Sequence, residues 1–251
     1  HIMAANVPNC VSYDPAFAYE LAVIIHAGME RMYMRGDSVF YYITVANENY
    51  AHPALPQGSE EAIIKGMYCL RPAPPANGKK GGPSTRLRAC PGLDPGTGLQ
   101  VQLLGSGSIL REVIAAADLL MQDFDIIATI WSATSFTELG RDGVDTQRWN
   151  RLHPEQPPRI SYVEQCLTAT QGPVIAATDY VRSYPDQIRP CVPRRYVTLG
   201  TEGFGRSDCR QALRRFFEVD RQHIAVAALK ALADDGALPV AKVTEAIVRY
   251  G

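Results

Sequence analysis

LQVQLLGSGSILREVIAAADLLMQDFDIIATIW, residues 99–131, is the stretch whose reading decides the fold. Residues 99–104 form a short apolar run suited to a strand, and Gly105-Ser106-Gly107-Ser108 is a tight turn. An amphipathic helix follows over 109–122, then a second strand over 126–131. Strand, helix and strand at these lengths make a parallel β-α-β unit, whose crossover is right-handed. The alternation continues downstream: a short helix over 142–150, strands over 173–177 and 196–199, and closing helices over 208–217, 220–233 and 240–250. Residues 99–251 therefore read as a doubly wound α/β domain.

Upstream, Asp14-Pro15 opens a helix over 16–33, with Asp14 as its cap and Phe17, Leu21, Ile24, Ile25 and Met29 as its apolar stripe. The nearly continuous β-branched and aromatic run over 39–45 suits a strand buried on both faces of a parallel sheet. A polar loop, Asn47 to Pro53, and a short helix ending at Gly66 follow it. One such strand and two helices cannot cover both faces of a sheet. Residues 1–70 thus read as the remnant of a second α/β domain whose other strands come from an upstream segment or another chain. Between the two, residues 71–98 are rich in proline and glycine and read as an exposed, disordered connection.

With 46% hydrophobic residues among 251, the chain can build a sizeable core. Its net charge of -1 provides no electrostatic reason to bind nucleic acid or an anionic membrane. No apolar run approaches the roughly 20 residues needed to span a bilayer. The six cysteines are scattered without a C-x-x-C pair, which suits reduced thiols in a cytoplasmic protein. The opening His1-Ile2-Met3 has none of the features of a signal peptide, so a preceding segment or a tag remnant is expected.

Chemistry-bearing residues are sparse. The Gly105-Ser106-Gly107-Ser108 turn lies where a phosphate cradle would sit, but it lacks the third glycine of a dinucleotide fingerprint and reads better as close strand–helix packing. Gly203 to Asp208 is a second glycine turn, able to bind an anion through Arg206 or simply to cap the next helix. Asn47-Glu48-Asn49 with His52 combines a carboxylate, amides and an imidazole at the end of a strand, where ligands gather in parallel sheets. His26 reads as a core histidine. His153-Pro154-Glu155 has only two side chains of metal-ligand type, too few for a site.

Several long strings carry a resemblance: VPNCVSYDPAFAYE (7–20), NENY (47–50), LLGSGSILR (103–111), SFTEL (135–139), RWNRLHP (148–154), AATDY (176–180), LGTEGFGRSD (199–208) and FFEVD (216–220). They are similar to the first component of bacterial pyruvate dehydrogenase complexes, of the single-polypeptide, homodimeric, thiamine-diphosphate-dependent type. The likeness covers almost the whole chain except 71–98. It implies a transketolase-like C-terminal α/β domain preceded by the tail of a pyrimidine-binding domain.

The activity implied for the parent is decarboxylation of pyruvate and reductive acetylation of lipoyl groups on dihydrolipoamide acetyltransferase. Thiamine diphosphate and magnesium are implied for that parent, held by parts of the subunit that this chain lacks; no cofactor is expected on the chain alone, which is expected to be inactive. His1, Glu48 and Asn49 are the pocket-edge candidates that the resemblance implies. Two other readings stand beside it. One is a complete assembly or binding module of a 2-oxo acid dehydrogenase complex, and the other a nucleotide-binding oxidoreductase domain resting on the Gly105 turn.

Overall fold

The computed structural model describes residues 1–73 and 98–251, so the proline- and glycine-rich stretch expected to be disordered lies, over 74–97, outside the described residues. A short helix α1 (Ile2–Ala5) leads into β1 (Cys10–Tyr13), α2 (Ala18–Met29), β2 (Phe40–Ile43), α3 (Glu60–Lys65) and β3 (Met67–Arg71). The second half runs β4 (Gln100–Gly105), α4 (Leu110–Phe124), β5 (Ile127–Ala133), α5 (Phe136–Leu152), α6 (Tyr162–Leu167), β6 (Val174–Ala177), α7 (Ser183–Asp186), β7 (Tyr196–Leu199), α8 (Arg210–Phe216), α9 (Arg221–Asp234) and α10 (Val240–Tyr250).

The larger sheet has the order β3-β5-β4-β6-β7, with β4, β5, β6 and β7 parallel and β3 antiparallel at one edge. Both faces are covered, as the doubly wound expectation requires. Val101 and Leu103 of β4 point into a core with Leu110, Val113, Ala117 and Leu120 of α4 and Ile224, Ala228 and Leu229 of α9. Leu104, the next residue along, points the opposite way toward Trp131, Phe136 and Leu139. The polar groups on this buried strand are matched: the Trp131 indole N–H donates to Gln102 Oε1 at 3.0 Å, and Gln102 donates to the Gln171 carbonyl at 2.9 Å.

Chain direction across the sheet reverses between β4 and β6, because β4 connects outward to β5 and the chain then returns past β4 to β6. This crevice at the carboxyl ends is where such sheets place ligands. Its rim is Gly105-Ser106 on one side and Ala177-Thr178 on the other, with the two hydroxyls 3.0 Å apart.

The smaller sheet pairs β1 and β2 in parallel, Cys10 opposite Phe40 through Tyr13 opposite Ile43. Val11 and Tyr13 pack with Ile24 of α2 and Ile63 of α3, while the Ser12 carbonyl on the same strand accepts from the Ser135 hydroxyl at 2.6 Å. Burial on both sides thus belongs to β1. The 39–45 strand expected to be buried on both faces is shorter, and Phe40 and Tyr42 are 48% and 43% exposed. Its β-branched and aromatic composition reports strand propensity, and among the described residues no helix or strand buries its second face.

Helix α2 also departs from expectation. It begins at Ala18, not at Pro15, and Asp14 is not its cap. Instead the Glu20 carboxylate accepts from the Ala16 and Phe17 amides at 2.6 and 3.0 Å, leaving Asp14 for another contact. His26 is exposed rather than in the core, because α2 packs along a single narrow stripe through Ile24 and Gly28. Helix α5 is 17 residues long where 142–150 was expected. Its start is the Ser135-x-x-Glu138 pattern, whose serine accepts the Glu138 amide at 3.0 Å.

Candidate functional site

The polar groups of the seam come from the ends of β1, β2, β4 and β6. Thr44, the residue after β2, donates its hydroxyl to Asp14 Oδ1 at 2.7 Å, and His1 Nε2 lies 3.2 Å from the same hydroxyl. A hydroxyl has one proton to give. With that proton directed at Asp14, Thr44 accepts from His1, so Nε2 is the nitrogen that carries a proton toward it. The ring is stacked on Tyr184 with centroids 4.7 Å apart and edge-on to Tyr180 at 4.8 Å. Its orientation is therefore set from three sides.

Asp14 binds the larger domain through its backbone as well. Its amide donates to the Thr134 carbonyl at 2.8 Å, and its carbonyl accepts from the Gly107 amide at 3.0 Å. The carboxyl group lies against Gly107, where a Cβ would come within 2.5 Å of Oδ2; the backbone there has φ +48°. Burial pushes the Asp14 carboxyl up from 3.8 to about 6, against the pull of the Thr44 and Ser106 hydroxyls and with help from the negative charges of Asp179 and Glu20. The glycine turn considered as a phosphate cradle is thus filled by a carboxyl group, and the nucleotide-binding reading fails on that geometry.

Glu48 sits in the loop after β2, among arginines of the larger domain. Arg111 Nη1 donates to Oε1 at 2.7 Å, Arg214 Nη2 to Oε2 at 3.2 Å, and Arg210 Nε lies 3.6 Å away. Arg111 also covers the Tyr50 ring at 4.5 Å, so one guanidinium grips the loop at two residues. The pairing extends inward: Arg214 bonds Glu112 at 3.2 Å, and Arg221 bonds Glu112 at 2.9 and 3.1 Å. Burial would raise the Glu112 carboxyl, but Arg221 and Arg214 overcome it and hold it below the usual carboxylate range. Alternating charges thus run from the smaller unit into the larger.

His52 faces elsewhere. Its Nδ1 accepts the Ala18 amide at 3.1 Å, closing the start of α2. Glu48 and His52, four residues apart, therefore have separate partners and form no acid–base pair. Asn49 is exposed between them. Glu48 and Asn49 share one loop whose first residue, Thr44, contacts His1; no contact joins His1 to Glu48 among the described residues.

Other sequence candidates have structural roles. Arg206 lies 4.6 Å over the Phe216 ring, and Asp208 accepts the Cys209 amide at 2.7 Å. His153 stacks on Trp149 at 4.6 Å. Among the described residues no cluster of histidine, cysteine and acidic side chains could hold a metal ion, and no helix is long and apolar enough to cross a membrane. Of the cysteines outside 74–97, Cys10, Cys166 and Cys191 are buried, Cys69 is half-buried and Cys209 exposed. Sequence reasoning missed Asp14 and Thr44 as seam residues. Asp14-Pro15 satisfies the rule for a helix cap, and only the tertiary contact separates the two roles.

A doubly wound sheet with a carboxyl-filled switch point, joined to a β1–β2 unit, defines a class. The pattern of the Transketolase-like TK C-terminal domain matches residues 93–220, and the chain belongs to that family. Residues 1–53 match the Pyruvate dehydrogenase E1 component middle domain. The chain is 53% identical over 250 residues to the Pyruvate dehydrogenase E1 component of Cupriavidus necator, 53% over 252 to that of Pseudomonas aeruginosa and 46% over 252 to that of Escherichia coli K12. These matches cover 100% of this chain and 26% of each relative, so the chain spans about a quarter of their length. Among solved structures, transketolase from Leishmania mexicana superposes with a TM-score of 0.57 at 14% identity, over 93% of this chain and 27% of that one. Transketolase from Campylobacter jejuni gives 0.55 at 15%, over 91% and 27%. At such identities the likeness is one of fold.

Proposed function

We propose that this chain is the C-terminal part of a pyruvate dehydrogenase E1 subunit, and that within it the chain supplies the edge of the catalytic pocket, with His1, Glu48 and Asn49 facing that pocket. The observation that carries this reading is the 53% identity running through the whole chain. The activity of the assembled subunit is decarboxylation of pyruvate and acetylation of lipoyl groups on dihydrolipoamide acetyltransferase, in the cytoplasm and as a homodimer.

Thiamine diphosphate and magnesium serve that subunit. The described residues do not fit a diphosphate–metal site: the glycine turn at the switch point is faced by the Asp14 carboxyl, which would repel a diphosphate when ionised. No step through the cofactor is assigned to this chain. Its own contribution is orientation: Thr44 and the two tyrosines hold the His1 imidazole, and Arg111 and Arg214 hold the Glu48 loop.

The test is reconstitution. The upstream portion of the subunit and this chain, expressed separately and mixed with thiamine diphosphate, magnesium and pyruvate, should release carbon dioxide only together. Turnover by the chain alone, or failure of the two parts to associate and work, refutes the reading.

A further inference from the structure

The contacts around the His1 imidazole differ in what they can discriminate. Tyr184 stacks on the ring, and Tyr180 and Tyr42 meet it edge-on, with centroids 4.7, 4.8 and 5.1 Å away. Such contacts fix the plane of the ring. They do not distinguish it from the same ring turned by half a rotation about Cβ–Cγ, which exchanges nitrogens for carbons. Helix α1, which begins at the next residue, buries no side chain and adds no restraint of its own. Among the described residues the Thr44 hydroxyl, 3.2 Å from Nε2, is the polar partner that makes the choice.

Thr44 can make it because Asp14 directs the hydroxyl proton. Oγ1 lies 2.7 Å from Asp14 Oδ1 and 3.3 Å from the Tyr13 carbonyl, and a single proton serves the shorter contact. The lone pairs of the hydroxyl then meet an N–H, where the turned ring would offer only a C–H. Asp14 in turn is buried, and its amide and carbonyl are tied to Thr134 and Gly107 of the larger domain. A restraint that starts at the Gly107 turn therefore reaches the His1 ring through two side chains, across the seam between the sheets.

The chosen orientation decides where the second ring nitrogen lies. Nδ1 is buried and has no hydrogen-bond partner among the described residues. Buried polar atoms are normally paired, so Nδ1 is the atom at which His1 can meet a group that these residues do not supply. In the turned ring a carbon would stand there.

We propose that Asp14 and Thr44 are positioning residues for the reaction of the parent subunit, holding His1 in the one ring orientation that offers Nδ1 to the reacting group. This assignment rests on the reading that His1 edges the catalytic pocket. A merely structural pair would affect stability; a positioning pair affects turnover, and only while His1 is present.

The test uses the full-length subunit with thiamine diphosphate, magnesium and ferricyanide as electron acceptor, and follows carbon dioxide release against pyruvate concentration. Thr44→Val keeps the shape without the hydroxyl and should fold, since Thr44 is only half-buried. It should lower kcat about tenfold or more while KM changes by less than about threefold. Thr44→Ser restores the hydroxyl and should recover most of the rate, and Asp14→Ala should fall toward Thr44→Val. Combined with His1→Ala, Thr44→Val should cost nothing further. Thermal unfolding of each variant separates lost turnover from lost fold, and the Thr44 variants carry the test if Asp14→Ala does not fold. A slow His1→Ala together with a full-rate Thr44→Val, with no rescue by serine, or with losses that simply multiply, overturns the positioning assignment alone. Parental turnover by His1→Ala overturns the pocket-edge reading and the assignment together.

Discussion

Replacing Asp14 by asparagine should reshape the pH dependence of stability in a predictable direction. The carboxyl is 6% exposed, and burial raises it from 3.8 to about 6. A difference of that size corresponds to roughly 3 kcal/mol between its protonated and ionised forms. The folded chain binds the proton more tightly than the unfolded one, so this group's stabilisation is complete below pH 3.8 and is lost as pH rises to about 6. The loss runs at about 1.4 kcal/mol per pH unit across that window and then levels off.

Asparagine keeps the shape and the acceptor for Thr44 but does not titrate. Glu20, Asp179 and His1 surround the site and remain in both proteins, so the difference between them isolates position 14. Urea unfolding at pH 4, 5, 6 and 7, with coincident fluorescence and circular dichroism transitions, measures it. The variant should gain on the parent by roughly 2.4 kcal/mol from pH 4 to pH 7. A difference that stays constant, or that moves the other way, refutes the claim that a buried carboxyl fills the switch point.

Gly107→Ala should destabilise by about 2 kcal/mol or more, since the residue has φ +48° and its Cβ would meet the Asp14 carboxyl at 2.5 Å; urea midpoints read this directly. Arg214→Gln removes the central cation from between Glu48 and Glu112, whose side chains are 18% and 7% exposed, and should cost about 3 kcal/mol. In the same variant, hydrogen exchange at residues 47–52 should accelerate while that of β4 stays slow. Glu112→Gln should lower stability at neutral pH, and the deficit should shrink as acid protonates the parent's carboxylate, because that carboxyl is held below its ordinary range in the folded state.

Local pattern settled much of this architecture. The apolar run and helical periodicity over 99–131 specify strand, helix and strand, because burial on both faces of a parallel sheet demands them. The three closing helices follow from their own periodicity in the same way, and all are present within two residues of the expected bounds. The long strings matching a known family place the chain in it on sequence alone.

Contacts between distant segments decided the rest. β3 immediately precedes the proline-rich stretch, yet it pairs antiparallel with β5 across more than fifty residues, a choice made by the open edge of the larger sheet. Glu48 reads in sequence as a candidate for acid–base work; in the fold, arginines from α4 and α8 claim both of its oxygens. Asp14 shows the physical reason most plainly. A carboxyl beside a proline satisfies local rules for a helix cap, and only burial against Gly107 and Thr44, set by how two sheets meet, makes it a seam residue instead.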